Sequence, residues 1–406
     1  MIEKIEIRNY RSCLETSFEL QPDLSVLIGP NGCGKTNVLN AFVLLRKLTD
    51  EPIHTDREDE QSTGESRVKV WLRLDNKRAI LTADLRLFTD ENNADLIVRA
   101  HESWYAKDFT DSAQRMHIPL SIARHLDTGG VSLNLTRARA RHYLFLYHDV
   151  EIPESLRKPL SLISKYFGDI KYYSASQFTN PSRCPVSFQV EMKGSASRGL
   201  RLQGHSKFLF DLFTEYKERK TSNYDQFFDI VGPNGVGLVD KIDFKEIPTS
   251  SIEYSVRSGG RVRQRKREKM LVIPQFTIGR NDLSPSQLSE GTFKTITLLF
   301  YLMTETGSSL LIEEPEVCVH HGLLSTIVEL IKTYSRQKQI ILSTHSDFVL
   351  DQIEPRHVYK VGHDSQNGTT VTHVAKSLPS QELAALRHYL ETEGNLGEYW
   401  RHGGLE

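Results

Sequence analysis

Gly29-Pro30-Asn31-Gly32-Cys33-Gly34-Lys35-Thr36 decides the fold of this chain. The stretch fits the phosphate-loop pattern GxxxxGK[ST] in full, and its flanks supply the context such a match needs. Before it, Leu24 to Ile28 is nearly all apolar, as a buried central strand should be. After it, Val38, Leu39, Phe42, Leu45 and Leu48 fall on one side of a helix. The glycines let the backbone curl until successive N–H groups point at phosphate oxygens. The helix N-terminus adds its partial positive charge. Asn31, Gly32, Cys33 and Gly34 form the cradle, Lys35 is placed to reach the β- and γ-phosphates, and Thr36 to hold Mg²⁺. A second Gly-Pro-Asn-Gly, at 232–235, has Leu238 where the cation is needed and reads as a turn.

Further along, a second apolar strand, Ser309 to Ile312, ends in Glu313-Glu314-Pro315-Glu316. A buried strand can present a carboxylate at its C-terminal edge. Glu313 is placed to hold Mg²⁺, directly or through water, and Glu314 to orient or deprotonate an attacking water. Leu288-Ser289-Glu290-Gly291-Thr292 opens the helix before that strand, and a serine and a glycine there can offer a hydroxyl and N–H groups to an anion. In isolation the same residues read better as an ordinary N-cap box. Ser343-Thr344-His345-Ser346 closes the next strand, where a histidine can contact a γ-phosphate or serve a structural role.

Between these halves the pattern changes. Period-two runs from Arg67 to Ala100 read as antiparallel strands and hairpins. A helix near 153–166 precedes a strand at Ile170 to Tyr173, and residues 180–285 read as an insertion with a helix around 205–219. Strands at Ile252–Val256 and Met270–Phe276 flank a basic stretch read as a hairpin tip. In it, Arg261, Arg263, Arg265, Lys266, Arg267 and Lys269 supply six cations in nine residues. Such a tip could bind nucleic-acid phosphates with strong salt dependence, or simply be a solvated loop. Arg137, Arg139 and Arg141 form a weaker run, and neither patch interleaves aromatics for base stacking.

Taken in order, these motifs carry a resemblance to the RecF/SMC-type branch of the ABC ATPases, and more narrowly to the ATPase half of OLD-family and Gabija-type proteins. Ile5-Glu6-Ile7-Arg8-Asn9-Tyr10-Arg11-Ser12 is similar to the family's opening, LSEGT to its signature, IEEPE to its two-acid Walker B, and STHS to its switch-histidine segment. The resemblance covers residues 1–50 and 285–362 well and the middle poorly. It implies an α/β fold: a P-loop ABC-type ATPase head with a mixed sheet, an antiparallel β lobe and an inserted α/β subdomain. The expected division is an N-terminal lobe (1–180), the insertion (181–285), a C-terminal ATPase lobe (286–365) and a tail (366–406). It further implies that ATP with Mg²⁺ is sandwiched between one copy's phosphate loop and the other's signature, with Ser289 and Gly291 on the γ-phosphate. His345 would be the catalytic switch histidine, alongside Glu314, and Gln177 would be the glutamine that senses Mg²⁺.

Two departures stand out. OLD-family chains continue into a Toprim nuclease domain, whereas 61 residues follow His345 here and hold no acidic cluster suited to two metals. The chain is therefore expected not to cut nucleic acid itself. His320-His321 also stands where the family has His-Pro. The tail from Leu396 to Gly404 resembles the end of stand-alone ATPases encoded beside a separate nuclease or effector, so Trp400 either docks a partner or packs on its own domain. The function this implies is an ATP-hydrolysing switch that dimerises on ATP and controls a separately encoded effector or nuclease, in bacterial antiphage defence. A RecF-like DNA repair ATPase and a non-hydrolysing ATP-bound scaffold are the rivals.

Bulk properties agree with this class. The 406 residues are 38% hydrophobic and 25% charged, an ordinary globular balance. A net charge of −1 leaves nucleic-acid binding to local patches. The four cysteines show no CxxC pair, the N-terminus lacks a signal-peptide layout, and no apolar run has membrane-spanning length. A cytoplasmic setting without membrane contact is expected.

Overall fold

The computed structural model describes residues 1–47, 66–74, 77–89, 96–105, 115–116, 154–191, 204–218, 223–256, 262–304, 308–317, 319 and 321–403. The strands, in chain order, are β1 (Ile2–Tyr10), β2 (Cys13–Glu19), β3 (Leu24–Ile28), β4 (Ser66–Leu74), β5 (Lys77–Thr89), β6 (Leu96–Tyr105), β7 (Arg115–Met116) and β8 (Ile170–Ser174). They continue with β9 (Phe188–Glu191), β10 (Lys241–Val256), β11 (Val262–Ile278), β12 (Asn281–Leu283), β13 (Ser309–Glu313), β14 (Gln339–Thr344), β15 (Val358–Asp364) and β16 (Gly368–His373). The helices used below are α1 (Lys35–Lys47), α2 (Glu154–Gly168), α3 (Gly204–Lys217), α4 (Tyr224–Val231), α5 (Glu290–Thr304), α6 (His321–Ser335), α7 (Asp347–Leu350), α8 (Val374–Ser377), α9 (Ser380–Thr392) and α10 (Leu396–Arg401). The chain forms two compact units, each made of separate stretches: 1–172, 306–313 and 335–406, and 173–305 with 314–334.

The first unit is built on a twelve-stranded sheet of order β7-β6-β5-β4-β1-β2-β16-β15-β3-β14-β13-β8. β15, β3, β14 and β13 run parallel, and the strands from β7 to β16 pair antiparallel. Strands buried on both faces must be apolar throughout, and every residue of β3, β13 and β14 is buried. β4 instead alternates buried Val68, Val70 and Leu72 with more exposed neighbours, as a one-sided antiparallel strand should. α1 lays Val38, Leu39, Phe42 and Leu45 into the core, all fully buried. At about 1.5–3 kcal/mol per side chain, that stripe anchors the loop preceding it. Leu48 lies outside the described residues.

Gln339 closes the bottom of this sheet. Its side-chain NH₂ donates to Ile2 O at 2.8 Å and Gln21 O at 2.9 Å, and its Oε1 accepts from the Ile2 amide at 2.9 Å. One buried amide on β14 thus satisfies three backbone groups from two other chain segments and holds them in register.

In the second unit, β9, β10, β11 and β12 form an antiparallel sheet. Phe178, Phe208, Phe293, Phe300 and Tyr301 pack ring against ring with centroids 5.4–6.4 Å apart. α5 is buried from Phe293 to Thr304. Lys294 is 1% exposed and is neutralised by Glu290 one turn earlier, at 2.7 Å. The Gly232–Leu238 stretch closes α4, with Gly232 and Leu238 amides donating back to Phe228 O and Val231 O. It is a helix terminus, and no helix follows it as a phosphate loop requires.

The basic stretch differs from its reading as a tip. β10 and β11 pair continuously from Lys241↔Thr277 to Val256↔Val262, so Arg263, Arg265, Lys266, Arg267 and Lys269 are strand residues. Charge had masked a strand whose register is set by its partner. Arg261 and the Arg137–Arg141 run lie outside the described residues. Among the described residues no helix is long and apolar enough to cross a membrane.

Candidate functional site

Parallel register brings three strand ends level in the first unit. Thr344 pairs with Ile28, and Ser343 pairs with both Leu27 and Glu313. The phosphate loop therefore leaves β3, the switch segment leaves β14 and the carboxylate ends β13 along one edge, the carboxyl ends where α/β sheets bind ligands.

Lys35 is 5% exposed, and its Nζ donates to Gly29 O at 2.8 Å and Pro30 O at 3.1 Å. The cation is thus held over its own loop. Val38 is the first α1 amide with an acceptor in the preceding turn, Gly34 O at 3.0 Å, so the earlier amides form the helix's anion-attracting end. The loop has no room for side chains at two glycines. A Cβ on Gly29 would lie 2.3 Å from Val361 O, and one on Gly34 2.0 Å from Thr369 Oγ1. Gly34 also holds φ at +105°.

Behind the loop is a hydroxyl network. Asn37 Nδ2 donates to Ser12 Oγ at 2.6 Å, Ser12 Oγ meets Thr369 Oγ1 at 2.7 Å, and Thr369 Oγ1 donates to Cys33 O at 3.0 Å. The Cys33 side chain is buried. Cys13 stays a neutral thiol beside this network: burial pushes its pKa up, against hydrogen bonds to Thr16, Thr369 and Ser12 that pull it down.

The Thr36 hydroxyl donates to Glu313 Oε1, and the Tyr172 hydroxyl donates to Glu313 Oε2 at 2.5 Å. Glu313 itself is 8% exposed. A hydroxyl and a carboxylate in contact beside a phosphate cradle are the hard oxygen donors Mg²⁺ takes alongside phosphates and water. Among the described residues no cluster of three His, Cys, Asp or Glu offers a protein-only metal site. These residues fit a nucleotide-borne Mg²⁺.

His345 is exposed at the end of β14, while the next residue caps α7: Ser346 Oγ accepts from the Val349 amide at 3.4 Å. The tail returns to this segment. Arg401 Nε and Nη2 both lie 2.7 Å from Asp347 Oδ2, and the Gly397 amide donates to Asp351 Oδ1 at 2.8 Å. Trp400 and Arg401 line a cleft with Gly29, Pro30, Asp347 and Lys360, so in this structure the tail packs on its own unit.

The other candidate residues belong to the second unit. Glu314, next in the chain after Glu313, is half-buried and holds φ at +48°, a left-handed conformation strained for glutamate. Ser289 is exposed and caps α5, its Oγ accepting from the Thr292 amide at 3.2 Å; Gly291 sits in that first turn. The N-cap reading is thus realised, and it leaves the helix terminus at the surface. Gln177 is exposed on a short 3₁₀ turn between buried Ala175 and Phe178. Cys318 and His320 lie outside the described residues. Tyr172, Asn37 and Thr369 were missed from sequence. Tyr172 stands five residues before Gln177, but a tyrosine in a strand carries no sign that its hydroxyl meets a carboxylate.

Comparison with known proteins accords with this geometry. Residues 24–351 match the family described as "AAA domain, putative AbiEii toxin, Type IV TA system". The chain belongs to that family, and its fold and site define an ATPase domain of the ABC type shared with SMC, RecF and Rad50 proteins. It is similar to the DNA double-strand break repair Rad50 ATPase of Methanopyrus kandleri, 50% identical over 44 residues, which are 11% of this chain and 5% of that protein. It is 30% identical over 94 residues to the chromosome partition protein Smc of Methanocaldococcus jannaschii, covering 23% of this chain and 7% of that one. With the DNA replication and repair protein RecF of Streptococcus thermophilus it shares 37% over 57 residues, 14% of this chain and 16% of that one. The chain thus aligns with a small fraction of each relative's length. Among solved structures, the Smc head bound to the C-winged helix domain of ScpA matches at TM-score 0.49 and 11% identity, covering 91% of this chain and 96% of that one.

Proposed function

We propose that this chain is an ATP-hydrolysing switch, two copies of which close head to head around two ATP molecules to control a separately encoded effector or nuclease in bacterial antiphage defence. The observation that carries the ATPase reading is the level edge of β3, β14 and β13, where Thr36 of the phosphate loop meets Glu313 and His345 follows the neighbouring strand. In this reading the loop amides from Asn31 to Thr36 and Lys35 bind the phosphates, and Thr36 and Glu313 hold Mg²⁺, with Gln177 as its sensor. Bound Mg²⁺ would neutralise charge on the β- and γ-phosphates. Glu314 takes the proton of the attacking water, His345 contacts the γ-phosphate, and Ser289 and Gly291 complete the other copy's site. The cations of β11 favour engagement of a nucleic-acid backbone: positions 263, 265, 267 and 269 alternate along the strand at about 6.7 Å. A family description that reads "putative AbiEii toxin, Type IV TA system" supports operation beside a second gene product. The names of the Rad50 and RecF relatives favour a second reading, a DNA repair ATPase.

The test is ATP hydrolysis with and without duplex DNA, in wild type, Lys35→Ala and Glu314→Gln. The proposal expects turnover by the wild type, stimulation by DNA that fades with salt, and at least 100-fold losses in both variants. ATP binding by the wild type without turnover under any condition would leave a scaffold and sink the switch.

A further inference from the structure

Glu313 is the carboxylate that the proposed function sends to Mg²⁺, and each of its oxygens has its own hydroxyl donor. The two donors differ in kind. Thr36 belongs to the phosphate loop, and its own oxygen is a metal ligand in that reading. Tyr172 comes from β8, the neighbour of β13 at the sheet's edge, and its hydroxyl reaches Oε2, the oxygen that Thr36 does not use. We propose that Tyr172 is a positioning residue for the metal-binding carboxylate: its hydroxyl pins Oε2 so that Oε1 stays turned to the loop. The inference rests on the Mg²⁺–ATP reading of this site.

The physical case has two parts. A glutamate side chain held in one rotamer gives up conformational freedom. At a strand end it would otherwise divide its time among several directions, and only some present an oxygen to the loop. A hydrogen bond to the ionised carboxylate contributes enough to offset that loss. The second part is charge. Glu313 is 8% exposed, so its carboxylate needs compensating donors. A lysine would compensate it but would compete with Mg²⁺ for the same charge. A neutral phenol satisfies the oxygen and leaves the negative charge for the cation. Groups that orient metal ligands in this way are worth roughly 10–100-fold in metal affinity.

Tyr172→Phe removes the hydroxyl alone. The experiment measures the affinity of AMP-PNP by calorimetry across a Mg²⁺ titration, in wild type, Tyr172→Phe, Glu313→Ala and the double variant, with thermal melting of each nucleotide-free protein. Tyr172→Phe should raise the Mg²⁺ concentration needed for tight binding about 10-fold, while metal-free affinity stays unchanged. Glu313→Ala should abolish the Mg²⁺ dependence, and adding Tyr172→Phe to it should change nothing further. An unaltered Mg²⁺ titration in Tyr172→Phe overturns the proposal, whether or not its melting temperature falls, because a purely structural hydroxyl would move melting alone. A wild type whose nucleotide binding ignores Mg²⁺ overturns both this proposal and the site reading beneath it.

Discussion

Glu314 holds a backbone conformation that costs an L-residue with a side chain about 1–2 kcal/mol. It follows directly on Glu313, which ends β13 in extended conformation, so the chain reverses handedness between two acids of opposite assignment. Such strain persists where something other than stability keeps the residue. Glycine meets the same dihedral without penalty, which makes Glu314→Gly informative. It should melt no lower than the wild type and be more stable by up to about 1 kcal/mol, yet lose ATP turnover as fully as Glu314→Gln. Thermal melting and a phosphate-release assay on the same preparation read both. A clear fall in stability would mean that Glu314 is kept for its contacts in the fold. The loop glycines need a different argument: Gly29 and Gly34 are required by neighbouring atoms, whereas a Cβ on Gly32 would meet nothing within 4 Å.

At the scale of elements, the tail is docked by backbone fit more than by charge. The Arg401–Asp347 pair is partly exposed, at 59% and 34%, and solvent screens a pair of that kind down to little net stability. Gly397 matters more, because a Cβ there would lie 2.3 Å from Asp347 O and 2.4 Å from Asp351 Oδ1. Backbone at that distance cannot step aside, and α10 would have to lift from α7. Gly397→Ala should therefore strip hydrogen-exchange protection from residues 396–402 while Arg401→Ala largely preserves it, a ranking opposite to the one that charge would suggest. Little of this was legible in the sequence. β3, the phosphate loop and α1 could be read because their signals are local: an apolar run, a glycine pattern and a helical stripe within two dozen residues. β15 and β16 left no such trace: they pair with each other across a short turn, but Lys360, His363, Thr370 and Thr372 interrupt any apolar run, and their outer neighbours β3 and β2 pair with them from the other end of the chain. The hydroxyls of Ser12 and Thr369, 357 residues apart, meet behind the loop through that pairing alone. The same limit hid Tyr172, whose partner is 141 residues away.

The residues to which the proposed function gives phosphate chemistry fall in both units. Lys35, Thr36, Glu313 and His345 belong to the first, and Ser289 and Gly291 to the second, where they open α5 at the surface. Ser289 already has a structural task as the N-cap, and the cap satisfies only part of the helix's unpaired amides. An exposed, buried-anchored helix terminus of this kind attracts an anion held elsewhere. If that anion is the nucleotide on a second copy, ATP becomes part of the interface and dimer stability becomes linked to ATP binding. Glu314→Gln with ATP and Mg²⁺ should then run at twice the monomer mass in size exclusion with light scattering, and return to monomer when ATP is removed. Ser289→Arg in the same background puts a bulky side chain at the N-cap. It should prevent the dimer while leaving ATP affinity of the monomer within about 2-fold, because the phosphate loop of the same chain is untouched. A dimer that forms without ATP, or one indifferent to Ser289→Arg, would mean that the copies meet through some other surface and that the signature serves only to cap α5.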